Sequence, residues 1–378
     1  FPLNLDIQRY GQITQHKVSD LNLDSKQDII LTTSQGHLLV IEDAGFSMWG
    51  SDSFSVANIG EPINLTPVIF SNPLTLPQPS KGLVILTESG SVYGFSFTGS
   101  TLPDSIFTPF QISNTITTSP VGYYDPDSTV NIVWGAGNGY VYSLSINLTD
   151  VQLDSFQVDT NPIQYLHVNL DKQIVSLTND GKVYINQTFF KNTELPYARP
   201  AGNSSAGLTR DGNFLFFESN PGPFAEEGIF QFDSHMITHP FIPNSANPRY
   251  LVSGNNKLHY FNYNFTIADD FPVKFYDPDR PLDLAISPLV NRFFNSSANQ
   301  TDGVVVTDPS GILEGFDFQS GRLEDFPLAV GDSIRVTPVI LDIDNDGDLE
   351  LSVITVNGAL SVYDLMSDFQ PAGWNQLY

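Results

Sequence analysis

The sequence predicts an all-β fold: a β-propeller of eight four-stranded blades, with seven blades as the alternative. Three observations lead to this expectation. A short motif recurs along the chain, an apolar run precedes most copies of it, and no convincing amphipathic helix lies between them. The motif is a turn residue followed by alternating apolar and polar residues, which is the pattern of a strand leaving a hairpin. Four such strands in every 40 to 50 residues or so are typical of a propeller.

The recurring motif sets the size of the predicted blade. It starts at Gly36, Gly90, Gly139, Gly181, Gly228, Asn256, Gly311 and Gly358. The mean spacing is about 46 residues, and eight blades in 378 residues require about 47 each. A Thr-Pro or Ser-Pro pair followed by an apolar residue precedes four copies, at residues 66–68, 119–121, 287–289 and 337–339. Residues 228 to 256 are too few for four good strands, so either this blade has lost its inner strand or the ring has seven blades.

No feature of the sequence suggests a second domain, so residues 1–378 are expected to form one propeller. The N-terminal residues Phe1-Pro2-Leu3 repeat the pattern of Phe326-Pro327-Leu328, which is expected to be an outer strand because proline is tolerated at sheet edges. The N-terminal strand is therefore expected to pair with the last blade and close the ring, which removes free strand edges.

Composition limits the possible functions. The chain carries 16 Lys and Arg against 42 Asp and Glu, a net charge of −26, so nucleic acids and anionic membranes would repel it. The absence of cysteine excludes disulfides, thiolate metal sites and cysteine nucleophiles. No apolar run is long enough to span a bilayer. Because the chain starts at Phe1 without a signal-like segment, we expect it to be a mature or excised part of a longer, exported protein.

One loop near the C-terminus has the spacing of a calcium site. Its acidic residues are Asp342, Asp344, Asp346, Asp348 and Glu350. Aspartates stand at positions one, three and five, Gly347 permits a sharp turn at position six, position seven typically offers its backbone carbonyl, and a carboxylate follows at position nine. A hard cation with six to eight oxygen ligands suits such a loop, whereas zinc and copper prefer other donors. The alternative is an acidic hairpin loop that binds nothing.

A second copy of this loop lies near the N-terminus. Its candidate residues are Asp20, Asn22, Asp24, Lys26 and Asp28. The ligand types persist at positions one, three, five and nine, but Ser25 replaces the glycine and Lys26 adds a positive charge. The sequence therefore predicts one principal calcium ion and a second, weaker one. The corresponding segment 124–128 lacks the register of ligands.

The Asp-x-Asp-x-Asp-Gly-x-x-Asp/Glu loop between two strands, followed by Gly-x-apolar-x-apolar, resembles the FG-GAP repeat, also called VCBS-like, of integrin α-subunit propellers. Residues 326–364 match this repeat closely and residues 1–43 less closely, whereas the intervening blades retain only the strand pattern. The resemblance implies a calcium-rigidified propeller on the cell surface or in extracellular or periplasmic space, where it acts in recognition or adhesion. It implies a protein or glycan partner, and a calcium ion that is structural.

The sequence offers no set of residues that would carry out catalysis. His235 and His239 are four residues apart but do not lie in a predicted helix, and there is no Gly-x-Ser-x-Gly turn or phosphate-binding glycine loop. No catalytic or organic-cofactor residue is assigned, and a non-enzymatic interaction module is favoured. The alternative is a polysaccharide lyase, which would need clustered Lys, Arg or His, or a lectin, which would need exposed aromatic side chains.

Overall fold

The computed structural model describes residues 2–47, 53–75, 80–98, 103–168, 172–192, 197–201, 204–208, 213–218, 229–231, 238–241, 249–254, 257–261, 273–274, 289–294, 300–308, 310–317 and 321–368. The chain forms two compact units. The N-terminal unit comprises Asp6–Thr193 together with Ile343–Asn345, and the C-terminal unit comprises Phe1–Leu5, Glu194–Asp342 and Asp346–Tyr378. The chain begins with β1 (Pro2–Asn4) and the one-turn helix α1 (Ile7–Tyr10), which the Asp6 side chain caps through the backbone N–H groups of Gln8 and Arg9.

The N-terminal unit contains four antiparallel sheets, each built from consecutive strands. The first sheet is β2 (Ile13–Ser19), β3 (Asp28–Thr33), β4 (His37–Ile41) and β5 (Ser55–Asn58). The second is β6 (Val68–Ser71), β7 (Lys81–Leu86), β8 (Ser91–Phe97), β9 (Asp104–Ser105) and β10 (Phe110–Gln111), with a 3-10 helix at Pro73–Thr75. The third is β11 (Val121–Tyr124), β12 (Val130–Gly135), β13 (Tyr140–Ile146) and β14 (Val151–Gln157). The fourth is β15 (Ile163–Val168), β16 (Ile174–Thr178), β17 (Lys182–Ile185) and β18 (Thr188–Asn192).

The C-terminal unit likewise has four antiparallel sheets among its described residues. The fifth sheet is β19 (Tyr197–Ala201), β20 (Ser204–Leu208), β21 (Asn213–Glu218) and β22 (Ile229–Gln231). The sixth is β23 (Thr238–Phe241), β24 (Arg249–Gly254), β25 (Lys257–Phe261) and β26 (Val273–Lys274). The seventh is β27 (Leu289–Phe294), β28 (Gln300–Thr307), β29 (Ile312–Asp317) and β30 (Leu328–Ala329). The eighth is β31 (Val339–Leu341), β32 (Asp348–Ile354) and β33 (Ala359–Asp368), to which β1 adds a fourth strand.

The predicted starts of the strands agree closely with these bounds. In each of the four Thr/Ser-Pro segments a strand begins at the residue after the proline, at Val68, Val121, Leu289 and Val339. The proline fixes the preceding backbone in an extended conformation and has no N–H to leave unpaired. The expected pairing of the N-terminal strand with the last blade is also present, because Leu3 in β1 lies opposite Leu360 in β33. The number of blades in a closed ring stays a prediction.

The turn glycines have the expected backbone conformation. Six of them have a left-handed φ between 76° and 102°, and each donates its N–H to the carbonyl three residues earlier: Gly36, Gly90, Gly139, Gly181, Gly311 and Gly358. Glycine reaches this region without steric cost, so the chain reverses tightly between the second and third strands of these sheets. Gly228 and Asn256 lie outside the described residues.

The short interval after Gly228 has a cause that the sequence did not reveal. Strand β22, which follows Gly228, pairs with β21 as the outer strand of the fifth sheet, so the motif here marks a fourth strand and not a third. Strands β23 to β26 then form a complete four-stranded sheet. The expectation that this blade has lost its inner strand is therefore wrong.

Hydrophobic side chains join consecutive sheets within each unit. In the N-terminal unit one cluster combines Ile30 and Val40 of the first sheet with Leu83 and Ile85 of the second. In the C-terminal unit an equivalent cluster contains residues of the seventh and eighth sheets. Every residue of the second strands β3, β12 and β16 is buried, because these strands are covered on both faces. This packing holds the loops between first and second strands in place.

Candidate metal centre

The loop between β31 and β32 brings together three of its five predicted ligands. Asp342, Asp344 and Glu350 each place a carboxylate oxygen within 4.8 Å of the other two. They occupy positions one, three and nine of the loop, whereas Asp346 and Asp348 do not belong to this group. Converging carboxylates repel one another unless a cation neutralises them, and oxygen donors of this kind suit a hard divalent ion.

Asp342 provides a second observation at the same place. Its side chain is only 9% exposed, and its Oδ1 atom is buried without a hydrogen-bond partner. Burying an ionised oxygen with no donor or cation is costly, and most buried polar atoms in folded proteins are therefore satisfied. Desolvation and neighbouring carboxylates, including those of Asp346 and Asp368, also raise the pKa of Asp348. The loop thus concentrates negative charge that a bound cation would stabilise.

The loop between β2 and β3 repeats the backbone of the last loop. The Asp20 carboxylate accepts hydrogen bonds from the N–H groups of Asp24 (3.1 Å) and Ser25 (3.0 Å). The N–H of Lys26, at position seven, donates to Asp24 Oδ1 at 2.9 Å. The same bond joins positions seven and five of the last loop, where Asp348 N donates to Asp346 Oδ1 at 3.0 Å. These bonds hold the acidic side chains of each loop towards its own backbone.

Both loops place their fourth and sixth residues in the left-handed region. At position four φ is 64° for Leu23 and 63° for Asn345, and at position six it is 76° for Ser25 and 101° for Gly347. Asparagine and glycine accept this conformation readily, whereas leucine and serine pay about 1–2 kcal/mol for it. The first loop therefore shares the backbone conformation of the last loop although Leu23 and Ser25 do not favour it.

Ser25→Gly is expected to raise the free energy of unfolding by about 1 kcal/mol, because glycine relieves the left-handed strain. The measurement is the midpoint of urea unfolding with excess chelator present. Ser113→Gly is the matched control, since Ser113 is an exposed residue without a left-handed φ and glycine there gains nothing. Equal effects of the two substitutions would contradict this interpretation of the loop.

Asp28 closes the first loop from inside the sheet. It is 2% exposed, and its Oδ2 accepts the Leu21 N–H at 2.8 Å. Burial, together with the charges of Asp24 and Asp20, raises the pKa of Asp28 to about 7, although backbone hydrogen bonds oppose the shift. A cation in this loop would have to displace a proton from Asp28 near neutral pH, which fits a weaker site.

The segment 124–128 between β11 and β12 is satisfied without a metal. Asp125 accepts a hydrogen bond from the Asn131 side chain at 2.7 Å and pairs with the Lys172 ammonium at 3.1 Å. The Asp125 carboxylate is thus bonded to side chains of the third sheet and of the segment between β15 and β16.

A set of carboxylates in the segments that connect successive sheets is not evident from the sequence pattern. Asp159, which precedes the fourth sheet, accepts hydrogen bonds from Tyr184 and Lys182 of its third strand, and these donors keep the pKa of Asp159 well below its usual range despite desolvation. Glu61 accepts from Ser89 and Tyr93 of the second sheet in the same way. An acid in the connecting segment followed by Gly-x-Val-Tyr in the next sheet is the signal that could have found these links. Each of these carboxylates ties a connecting segment to the sheet that follows it.

In the first sheet a histidine donates a hydrogen bond to a serine, which is the opposite direction from the one that activates a serine nucleophile. Gly60 N–H donates to Asn58 Oδ1, so the Asn58 amide nitrogen faces His37 Nε2, which accepts at 3.1 Å. His37 Nδ1 therefore carries the proton and donates to Ser55 Oγ at 2.7 Å. A general base would have to accept from the serine instead. His235 and the side chain of His239 lie outside the described residues.

Comparison with solved structures defines the class of protein. The chain has the β-propeller fold, since it aligns over nearly its full length with propellers at low sequence identity. It is similar to Sqt1 of Saccharomyces cerevisiae (TM-score 0.60, 12% identity, covering 94% of this chain and 96% of that one). It is also similar to BamB of Moraxella catarrhalis (TM-score 0.57, 10% identity, 98% of both chains). A third similar structure is BBS1N in complex with ARL6DN (TM-score 0.52, 12% identity, 94% and 92%).

Sequence comparison gives no further assignment, since neither a protein-family model nor a curated protein matches the chain. Among the described residues, no helix has both the length and the apolar character needed to cross a membrane.

Proposed function

We propose that this chain is a calcium-binding β-propeller of the FG-GAP or VCBS-like type whose ion is structural. The convergence of Asp342, Asp344 and Glu350 supports this proposal most directly, together with the unpartnered buried Oδ1 of Asp342. These three residues would hold the ion. A bound calcium ion supplies charge neutralisation, which ties the loop to β32. The first loop is the proposed weaker site.

We further infer that the propeller acts outside the cytoplasm as an interaction module for a protein or glycan. The resemblance of the two loops to extracellular calcium repeats supports this location. Four of the described cations are engaged by carboxylates, which favours binding over a lyase activity at these positions, since a lyase needs cationic groups to neutralise a uronate. Lys26, Lys172, Lys182 and Arg322 are each paired with carboxylates of this chain. The solved complex of the similar BBS1N shows that such a fold can bind a protein partner.

Calcium is expected to raise the melting temperature of the wild-type chain. A ligand that binds only the folded state stabilises it by about 2.7 kcal/mol at a hundredfold excess over Kd. Asp344→Asn should lose most of this gain because it removes a ligand charge, and Asp24→Asn should lose less. In excess chelator Asp344→Asn should melt no lower than wild type, because it also relieves carboxylate repulsion. The measurement is a thermal melt in millimolar calcium and in chelator.

Asp104→Asn is the matched control, since it removes the same charge from an exposed strand residue outside the loops. It should respond to calcium as wild type does. Elemental analysis of the dialysed protein counts the bound ions. A wild-type chain with no calcium-dependent shift and no bound metal would refute the proposed metal function.

A further inference from the structure

Lys26 is the one basic residue within the two acidic loops, and its backbone is fixed on both sides. Its own N–H is bonded to Asp24 Oδ1, and the next N–H, of Gln27, donates to the Ile343 carbonyl at 2.7 Å. Ile343–Asn345 belong to the same compact unit as the first loop. The residue after Lys26 is therefore bonded to the residue before Asp344.

The ammonium of Lys26 is placed by a third acidic residue. Its Nζ donates to Asp43 Oδ2 at 2.6 Å, and the two side chains are 46% and 14% exposed. The hydrogen bond to Asp43 is the main cause of the raised pKa of Lys26, and the charges of Asp344 and Asp24 add to it. The ammonium thus lies within the electrostatic influence of Asp24 and Asp344 while its hydrogen bond holds it at Asp43.

We propose that Lys26, positioned by Asp43, lowers the cation affinity of the acidic loops to which Asp24 and Asp344 belong by acting as a fixed internal counter-ion. This inference rests on the proposed calcium binding. The ammonium neutralises part of the negative charge that attracts a divalent ion, and it repels that ion once bound. Its effect is electrostatic through solvent, so it weakens with ionic strength. Lys26 thus changes the electrostatic potential at the ion, and its side chain does not act as a ligand.

Lys26→Met is expected to tighten calcium binding severalfold at low salt, because the substitution removes the repulsion between one positive charge and the divalent ion. The gain should shrink when salt is raised to about 0.5 M. Lys26→Arg keeps the charge and should retain wild-type affinity. The measurement is isothermal titration of the chelator-stripped, full-length chain with calcium chloride at both salt concentrations.

Lys172→Met is the matched control. Lys172 also forms an exposed pair with an aspartate, but beside a loop for which no cation is proposed, and its removal changes the net charge equally. The calcium affinity of the Lys172→Met variant should equal that of the wild-type chain. Unchanged affinity in Lys26→Met, or an equal gain in Lys172→Met, would overturn the role of Lys26. No calcium uptake by the wild-type chain would instead overturn the proposed function itself.

Discussion

Gly139→Ala is expected to lower the free energy of unfolding by at least about 3 kcal/mol. Gly139 has a φ of +76°, and a Cβ at this position would lie 2.1 Å from the carbonyl oxygen of Asp159. The obstacle is backbone that cannot move away easily, because the N–H groups of Val158 and Asp159 both donate to the Gly139 carbonyl. The substitution therefore pushes apart the third sheet and the segment leading to the fourth. The measurement is the urea midpoint and slope.

Gly60→Ala separates the cost of the left-handed backbone from the cost of the close contact. Gly60 has nearly the same φ, +78°, but an added Cβ meets no atom within 4 Å. Only the left-handed strain remains, so we expect a loss of about 1 kcal/mol. If the two alanine variants lost the same stability, the close approach at Gly139 would carry no energetic weight.

The second large effect is acid lability from buried histidines. His167 is 2% exposed, neither of its ring nitrogens has a hydrogen-bond partner, and burial lowers its pKa to about 3. Burial, with a contribution from Lys17, likewise lowers the pKa of His16 to about 3. The unfolded chain takes up a proton at each histidine below pH 6.5, whereas the folded chain does not. Stability from these groups is therefore complete above pH 6.5 and is lost as the pH falls towards 3.

His167→Phe is expected to remove one of these two contributions. Between pH 7.5 and pH 5 the free energy of unfolding of the wild-type chain should fall by about 2 kcal/mol more than that of the variant. The difference between the two chains cancels the pH dependence of the groups that both contain. One of these is Asp28, whose raised pKa makes the fold more stable as the pH falls below about 7. The measurement is urea unfolding at both pH values. Parallel pH dependence in the two chains would show that the imidazole does not stay neutral.

His37→Phe serves as the comparison. His37 is only partly buried and its ring bonds to Ser55 and Asn58, so its contribution should be smaller than that of His167. Its pKa is also lowered, by desolvation and by Arg9, so the direction of its effect is the same.

The features predicted from sequence share one property: local chemistry determines them. A glycine at a left-handed turn and a proline before a strand restrict the backbone wherever they occur, which is why the third strands and the Thr/Ser-Pro starts were found. The spacing of Asp342, Asp344 and Glu350 is equally local, so their convergence could be anticipated. Calcium itself stays a prediction.

The features that were missed depend on neighbours distant in the sequence. The outer strand β22 alternates apolar and polar residues as a third strand does, so only its pairing with β21 distinguishes it. Asp159 looks like any loop carboxylate until the fold brings Lys182 and Tyr184 to it. The left-handed Leu23 could not be foreseen either, because the rest of the loop imposes a conformation that leucine does not favour.

The place of β1 has a consequence for biosynthesis. Asn4 pairs with Ala359, so β1 bonds with a strand that is made about 355 residues later. At about 5–20 residues per second, β1 waits for roughly 20–70 seconds before its partner exists. Until then its N–H and C=O groups are open to other chains, a hazard for any exposed strand edge. The eighth sheet is thus completed only after β33 has been made, and chaperones that shield β1 in the nascent chain would be expected to raise the yield of folded chain.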